Sequence, residues 1–174
     1  GEYSLKVINT PGHTPGHVSF YEPRRKLLFS GDVLLPTIVT NAAGHIQHMV
    51  NPLQQYFNSL NTLKPLDIEF VLPGHEYIFS DHRKRIKEIE AVYRQKKESI
   101  LRVLKIKRQP LTAYDVARHL TWTPRLRTIT FAELRGHDKR FAVFQTIALL
   151  EELAYSGQVI RLPQPGLTQY QVKE

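Results

Sequence analysis

The chain has no cysteine, and only one methionine and one tryptophan in 174 residues. Without cysteine there can be no disulfide framework, no thiolate-ligated zinc finger and no cysteine nucleophile. Any metal site must be built from imidazole and carboxylate. Long apolar runs are also absent, and nothing approaches the roughly 20 residues of a membrane span. The opening residues GEYSLKVINT lack the basic and apolar segments of a secretory signal. The expectation is a cytoplasmic protein with no membrane partner. Acidic residues are few: 16 Asp+Glu against 24 Lys+Arg leave a formal charge of +8. A hydrophobic fraction of 41% with 23% charged residues excludes a disordered chain. The length allows one ordinary domain or two small ones.

The charge is unevenly spread. Residues 1–80 hold 5 Lys+Arg and 6 acids, whereas 82–108 alone hold 11 Lys+Arg and 3 acids. Six of the eight histidines (His13, His17, His45, His48, His75 and His82) lie in the first 82 residues. A near-neutral, histidine-rich front and a basic, histidine-poor back suggest two regions with different tasks.

The front predicts short strands and turns. Tyr3, Leu5 and Val7 alternate with polar residues as in a half-buried strand, and His17–Tyr21 and Lys26–Phe29 follow as two more. Asn51-Pro52 predicts a helix start, with Asn as N-cap and Pro in the first turn. Leu53, Tyr56, Phe57, Leu60 and Leu63 continue it, and Pro65 ends it. Residues 69–72 predict a strand stopped by Pro73-Gly74. Ser80 or Asp81 caps a long helix with a stripe of Ile86, Ile89, Tyr93, Ile100 and Leu104, interrupted near Lys96 and Lys97. His82 at its start is expected to cap or to lie on the surface. Past Gln109-Pro110, Thr112–Asp115 resembles a capping box with Asp in place of Glu or Gln. Helices are expected around Val116–Leu120, around Phe131–Leu134 closed by Gly136, and over Phe141–Leu153 closed by Gly157. A hairpin over 158–172 completes a winged-helix order.

Three segments share one local design: Pro11-Gly12-His13, Ser30-Gly31-Asp32 and Pro73-Gly74-His75. Each places a glycine at a strand end just before a side chain that can bind a metal. The glycine lets the chain turn sharply and present that side chain. Imidazole and carboxylate suit zinc or iron.

The run Thr10-Pro11-Gly12-His13-Thr14-Pro15-Gly16-His17, then Phe29-Ser30-Gly31-Asp32, then Leu72-Pro73-Gly74-His75 resembles the metallo-β-lactamase superfamily in order and spacing. The first motif is similar to the glyoxalase-II-like branch. The resemblance implies an α+β fold: the C-terminal part of an αβ/βα sandwich over 1–80, a basic connecting helix over 81–109, and a small winged-helix domain over 110–174. It implies His13 as a ligand of a first metal, Asp32 as the bridging and catalytic carboxylate, and His75 as a ligand of a second. His17 falls near the site rather than on the metal. The implied cofactor is zinc, two ions per complete site, with iron or manganese as alternatives. The implied reaction is attack of a metal-activated hydroxide on a small acyl substrate: an ester, thioester or lactone.

The family's His-x-His-x-Asp-His motif is absent, and Gly44-His45-Ile46-Gln47-His48 has neither its spacing nor its place in the order. The expectation is therefore the C-terminal portion of a longer enzyme, inactive and weak in metal affinity by itself, whose partner is the missing N-terminal half of the sandwich. An open sheet face should result. Two other readings stand beside it. One is a nuclease of the same fold that uses 82–108 for nonspecific RNA or DNA contact. The other is a non-catalytic winged-helix binding module. Ala142–Tyr155 offers few side chains able to read base edges, which disfavours sequence-specific DNA binding. His45 and His48 fall in a loop between two motifs, where substrate contacts are common, but a solvated loop is the favoured expectation; Glu76 fits either a ligand-orienting role or plain exposure.

Overall fold

The computed structural model describes residues 2–43, 51–123 and 127–173. His45 and His48 lie outside the described residues. The chain divides into two compact units, residues 1–92 and 93–174.

The first unit is built on a four-stranded sheet in the order β1 (Lys6–Asn9), β2 (Val18–Glu22), β3 (Leu27–Gly31), β4 (Phe70–Pro73). The pairs β1/β2 and β2/β3 are antiparallel, and β3/β4 is parallel. Helix α1 (Pro52–Leu63) lies in the crossover between β3 and β4, as a parallel pair requires. Strands β1, β3 and β4 therefore point the same way, and the loops leaving their C-terminal ends gather at one edge of the sheet. Pairing of β3 with β4 is irregular: Phe29 faces Leu72, but Gly31 faces Pro73, so one extra residue sits on β3.

One face of this sheet is buried. Tyr21, Leu28 and Val71 pack there with Leu53, Tyr56, Leu60 and Leu63 of α1 and with Ile86 and Ile89 from the start of α2 (His82–Lys107). The opposite face is open. Val7, Phe20 and Phe29 lie in neighbouring registers across three strands, and all three are exposed, Val7 at 64%. The open face expected from the sequence is thus present. The expected burial of Leu5 and Val7 is not: they belong to the open face, and Ile8, opposite the buried Ser19, turns inward instead.

Helix α1 starts where expected. Asn51 takes a left-handed conformation, and its side chain accepts the Gln54 N–H at 3.1 Å. The helix also supports the first motif: Ser59 Oγ donates to Pro11 O at 2.7 Å. The turn that follows it is held from α2, where Arg83 donates to Lys64 O at 3.0 Å and to Leu66 O at 2.8 Å. Asp81 caps α2 by accepting the Lys84 N–H at 3.0 Å. His82 is buried at 2% exposure rather than on the surface, because its ring is drawn over the end of α1 toward Lys64 O.

In the second unit, β5 (Leu111–Thr112), β9 (Leu167–Val172) and β8 (Val159–Gln164) form one sheet, and β6 (Thr121–Trp122) pairs with β7 (Ile129–Thr130). Helix α3 (Ala113–Arg118) opens on a complete capping box between Thr112 and Asp115, so aspartate serves as well as glutamate here. The helix expected around Phe131–Leu134 is instead a pair of tight turns, with Glu133 and Leu134 N–H bonded to Thr130 and Phe131 carbonyls. Glu133 also accepts from the Thr130 hydroxyl and N–H, which favours a closed turn over helix propagation. Gly136 consequently opens α4 (Gly136–Tyr155) rather than closing a helix before it. Phe141 lies on the outer side of α4 and is exposed, while Ala142, Leu149, Leu150 and Leu153 are buried. The break in the α2 stripe also has its explanation here: Lys97 pairs with Glu152 of α4 at 3.1 Å, and Lys96 bonds Gln145.

Candidate metal centre

The three glycine-preceded side chains converge at the C-terminal edge of the first unit's sheet. His13 comes from the loop after β1, Asp32 from the residue after β3, and His75 from the turn after β4. Asp32 Oδ2 lies 3.5 Å from His13 Nε2, and Asp32 Oδ1 lies 3.3 Å from His75 Nε2. The carboxylate thus offers one oxygen to each imidazole. Among the described residues, no group of three or more His, Asp or Glu side chains closes around a single point. The arrangement is two pairs sharing one carboxylate, not a cage.

Two observations test whether these residues suit a metal. Asp32 Oδ1 is buried and has no hydrogen-bond partner, which is costly for a carboxylate oxygen. The His13 ring adds a second constraint. Its Nδ1 stands 3.4 Å from the Asn41 carbonyl, so that nitrogen must be the donor. In the neutral ring Nε2 then presents a lone pair toward a carboxylate oxygen. Two facing lone pairs repel unless a cation lies between them. The donor set, the orphaned oxygen and the tautomer all fit a metal ion.

The motif glycines are explained by close approach. A Cβ on Gly74 would stand 2.8 Å from Asp32 Oδ1 and 3.3 Å from the Gly31 carbonyl carbon. Gly31 has φ +52°, and a Cβ there would stand 2.7 Å from His17 Nε2. Side chains at these positions would displace the groups that define the site.

His17 has both ring nitrogens engaged elsewhere. Its Nε2 accepts the Asp32 backbone N–H at 3.1 Å, and its Nδ1 lies 2.8 Å from Thr10 Oγ1. Burial and the neighbouring His13 hold its pKa below the ordinary imidazole value, against the pull of Asp32. Glu76, the residue after His75, is exposed but not idle. It accepts the N–H groups of Thr37 at 3.1 Å and Ile38 at 3.2 Å, and the Thr37 hydroxyl. Partial desolvation works against its ionisation, but these bonds win and leave the carboxyl below its usual range. The same segment is held through its carbonyls by the buried Arg85, which donates to Leu35, Thr37 and Ile38 at 2.7–3.0 Å. The sequence marked Glu76 only as a neighbour of His75 and did not mark Arg85. No local pattern shows that a helical arginine reaches residues 35–38.

The sequence pattern of the metallo-beta-lactamase superfamily matches residues 2–75. Residues 2–75 belong to the metallo-β-lactamase superfamily. A hydroxyacylglutathione hydrolase of Rhizobium etli is 32% identical over 160 residues, which take in 81% of this chain and 60% of the relative. An atrochrysone carboxyl ACP thioesterase of Aspergillus fumigatus is 26% identical over 113 residues, 64% of this chain and 33% of the relative. Among solved structures, a metallo-beta-lactamase family protein of Thermus thermophilus superposes with a TM-score of 0.79 at 30% identity, covering 98% of this chain and 50% of its own. The chain therefore spans between a third and three fifths of the relatives named here. Within the superfamily pattern lie all three converging side chains, His13, Asp32 and His75. No helix among the described residues is long and apolar enough to cross a membrane.

Proposed function

We propose that this chain carries the Asp32-centred part of a dinuclear zinc site in a hydrolase that cleaves a small acyl substrate, a thioester above all. The observation that carries this reading is the Asp32 carboxylate, which presents one oxygen to each of two imidazoles and keeps Oδ1 buried without a hydrogen bond. The names of two relatives, one a hydrolase of an acyl-glutathione and one an acyl-carrier thioesterase, favour a thioester. Metal ions bound here would lower the pKa of a water toward neutrality and polarise the substrate carbonyl.

The chain's own residues prepare the site. The His13 ring is oriented by the Asn41 carbonyl, so Nε2 faces inward. Asp32 supplies both oxygens from a strand end that α1 and the neighbouring strands hold rigid. The His75 side chain is 69% exposed, so the second pair opens toward solvent and substrate. Glu76 and Arg85 fix residues 35–38 beside it.

In this reading residues 110–174 hold a winged-helix domain, preceded by the basic connecting helix over 81–109. The helix, short paired strands, long helix and terminal hairpin support that order, although its middle helix is reduced to turns. The site is completed by the N-terminal half of the sandwich, which would also cover the open sheet face.

The deciding experiment assays the protein extended by the coding sequence upstream of Gly1, loaded with zinc, on a panel of thioesters, esters and lactones, with single-stranded RNA in parallel. Thioester cleavage that chelation removes and zinc restores supports the proposal. Cleavage of RNA alone overturns it in favour of a phosphodiesterase that uses the basic residues 82–108.

A further inference from the structure

A buried run of hydrogen bonds lies beneath the Asp32 carboxylate. Asp32 N–H donates to His17 Nε2 at 3.1 Å. Because that nitrogen accepts, the neutral ring carries its proton on Nδ1, 2.8 Å from Thr10 Oγ1. Thr10 Oγ1 accepts it and has its own proton for Ser19 Oγ, 3.0 Å away. Ser19 Oγ in turn donates to Ser30 O at 3.4 Å. Thr10, Ser19 and Ser30 are fully buried. The run leaves the main chain at Asp32 and returns to it at Ser30, two residues earlier. With Ser19 Oγ donating to Ser30 O, the Thr10–Ser19 bond runs from Thr10 to Ser19, and Thr10 Oγ1 is left to accept from the His17 ring.

We infer that His17 is a positioning residue of the metal site: its Nε2 anchors the Asp32 main chain so that the carboxylate stays between His13 and His75, and the ring is not itself a ligand. The inference rests on the dinuclear site proposed above. Its support is geometric. The Nε2 lone pair is already taken by a backbone donor. The ring packs where a Cβ on residue 31 would be 2.7 Å from Nε2. It stands edge-on to His13, with centroids 6.4 Å apart and planes at 85°, so it braces the neighbouring ligand as well. Thr10 Oγ1 accepts from Nδ1 in the tautomer that leaves Nε2 free to accept. Outer groups of this kind affect metal affinity by about 10–100-fold.

The test uses the 174-residue chain in two arms. In the metal-free protein, nitrogen NMR of the imidazoles should show His17 protonated on Nδ1, and Thr10→Val should shift it toward the other tautomer. The Asp32 amide should be protected from hydrogen exchange in the wild type and lose that protection in His17→Phe. In the second arm, cobalt(II) is titrated and read by visible absorption. His17→Phe and Thr10→Val should each weaken binding by about tenfold or more. His17→Gln, whose Oε1 can accept from Asp32 N–H, should recover most of the loss.

An Nε2-protonated His17, an Asp32 amide equally protected in His17→Phe, or unchanged cobalt affinity in Thr10→Val would each overturn the inference. So would direct cobalt ligation by His17. If wild-type protein bound no cobalt even at millimolar metal, the metal reading would fail alone, and the first arm would still judge the anchoring of Asp32. Should His17→Phe not fold, Thr10→Val, which keeps the ring, carries both arms.

Discussion

His75 Nε2 and Asp32 Oδ1 stand 3.3 Å apart at the ends of two adjacent parallel strands, with nothing else bonded to that oxygen. Because His13 faces the other oxygen of the same carboxylate, both halves of the site depend on Asp32, and each depends on one imidazole. Asp32→Ala should abolish zinc binding, whereas His13→Ala and His75→Ala should each leave one weakened pair. The wild-type chain alone, with a partial ligand set, should bind zinc more weakly than about micromolar. Isothermal titration checks both points, and submicromolar binding of two ions would contradict the second.

Gly74→Ala and Gly31→Ala should fail differently. The Gly74 substitution pushes a methyl group against the Asp32 carboxylate, so it should lower metal affinity more than stability. At Gly31 the side chain meets both a left-handed backbone and the His17 ring. It should destabilise by about 1–3 kcal/mol. Metal titration and thermal unfolding of the two variants separate the effects.

Arg85→Met should cost about 2–4 kcal/mol, because a buried guanidinium that satisfies three carbonyls is removed. Glu76→Ala should change global stability by less than about 1 kcal/mol, since its carboxylate is exposed. It should instead speed exchange of the Thr37 and Ile38 amides, readable by hydrogen-exchange mass spectrometry. Equal exchange rates in both proteins would count against the clamp.

Lys96 supplies a pH test in the second unit. Burial lowers its pKa from the ordinary lysine value to about 8. Gln145 accepts a hydrogen bond from Nζ, and the Trp122 ring lies 5.5 Å away. The unfolded chain therefore binds more protons than the folded one between pH 8 and about 10.5, and wild-type stability should rise with pH through that window. At pH 7 the charged, desolvated amine is a burden. Lys96→Met should stabilise the unit there by at most about 3 kcal/mol, and the advantage should shrink toward pH 10. Denaturant unfolding of both proteins at the two pH values checks the sign.

The convergence of His13, Asp32 and His75 was legible because its information is local. Each sits one residue past a glycine at the end of a short strand, and the same pattern explains why the glycines are needed. The capping box and the Asn51 helix start are legible for the same reason. What the sequence does not display is which distant groups meet. The anchoring of Asp32 by His17 depends on β2 and β3 lying side by side, and the Arg85 clamp depends on where α2 crosses residues 35–38. The burial of His82 follows from the end of α1, not from its own neighbours. At Phe131–Leu134 the apolar spacing suggested a helix, but the Thr130–Glu133 bonds closed the segment into turns.

The irregular step between β3 and β4 has a geometric consequence. With Phe29 opposite Leu72, unbroken pairing would set Asp32 abreast of His75, backbone beside backbone, with their side chains parallel. The extra residue at Ser30 retards one strand, so Gly31 meets Pro73 and Asp32 draws level with Gly74. The carboxylate gains an empty berth where a side chain would have been, and the imidazole arrives from one position farther on. Two side chains at the ends of neighbouring parallel strands can then meet head-on instead of running alongside each other.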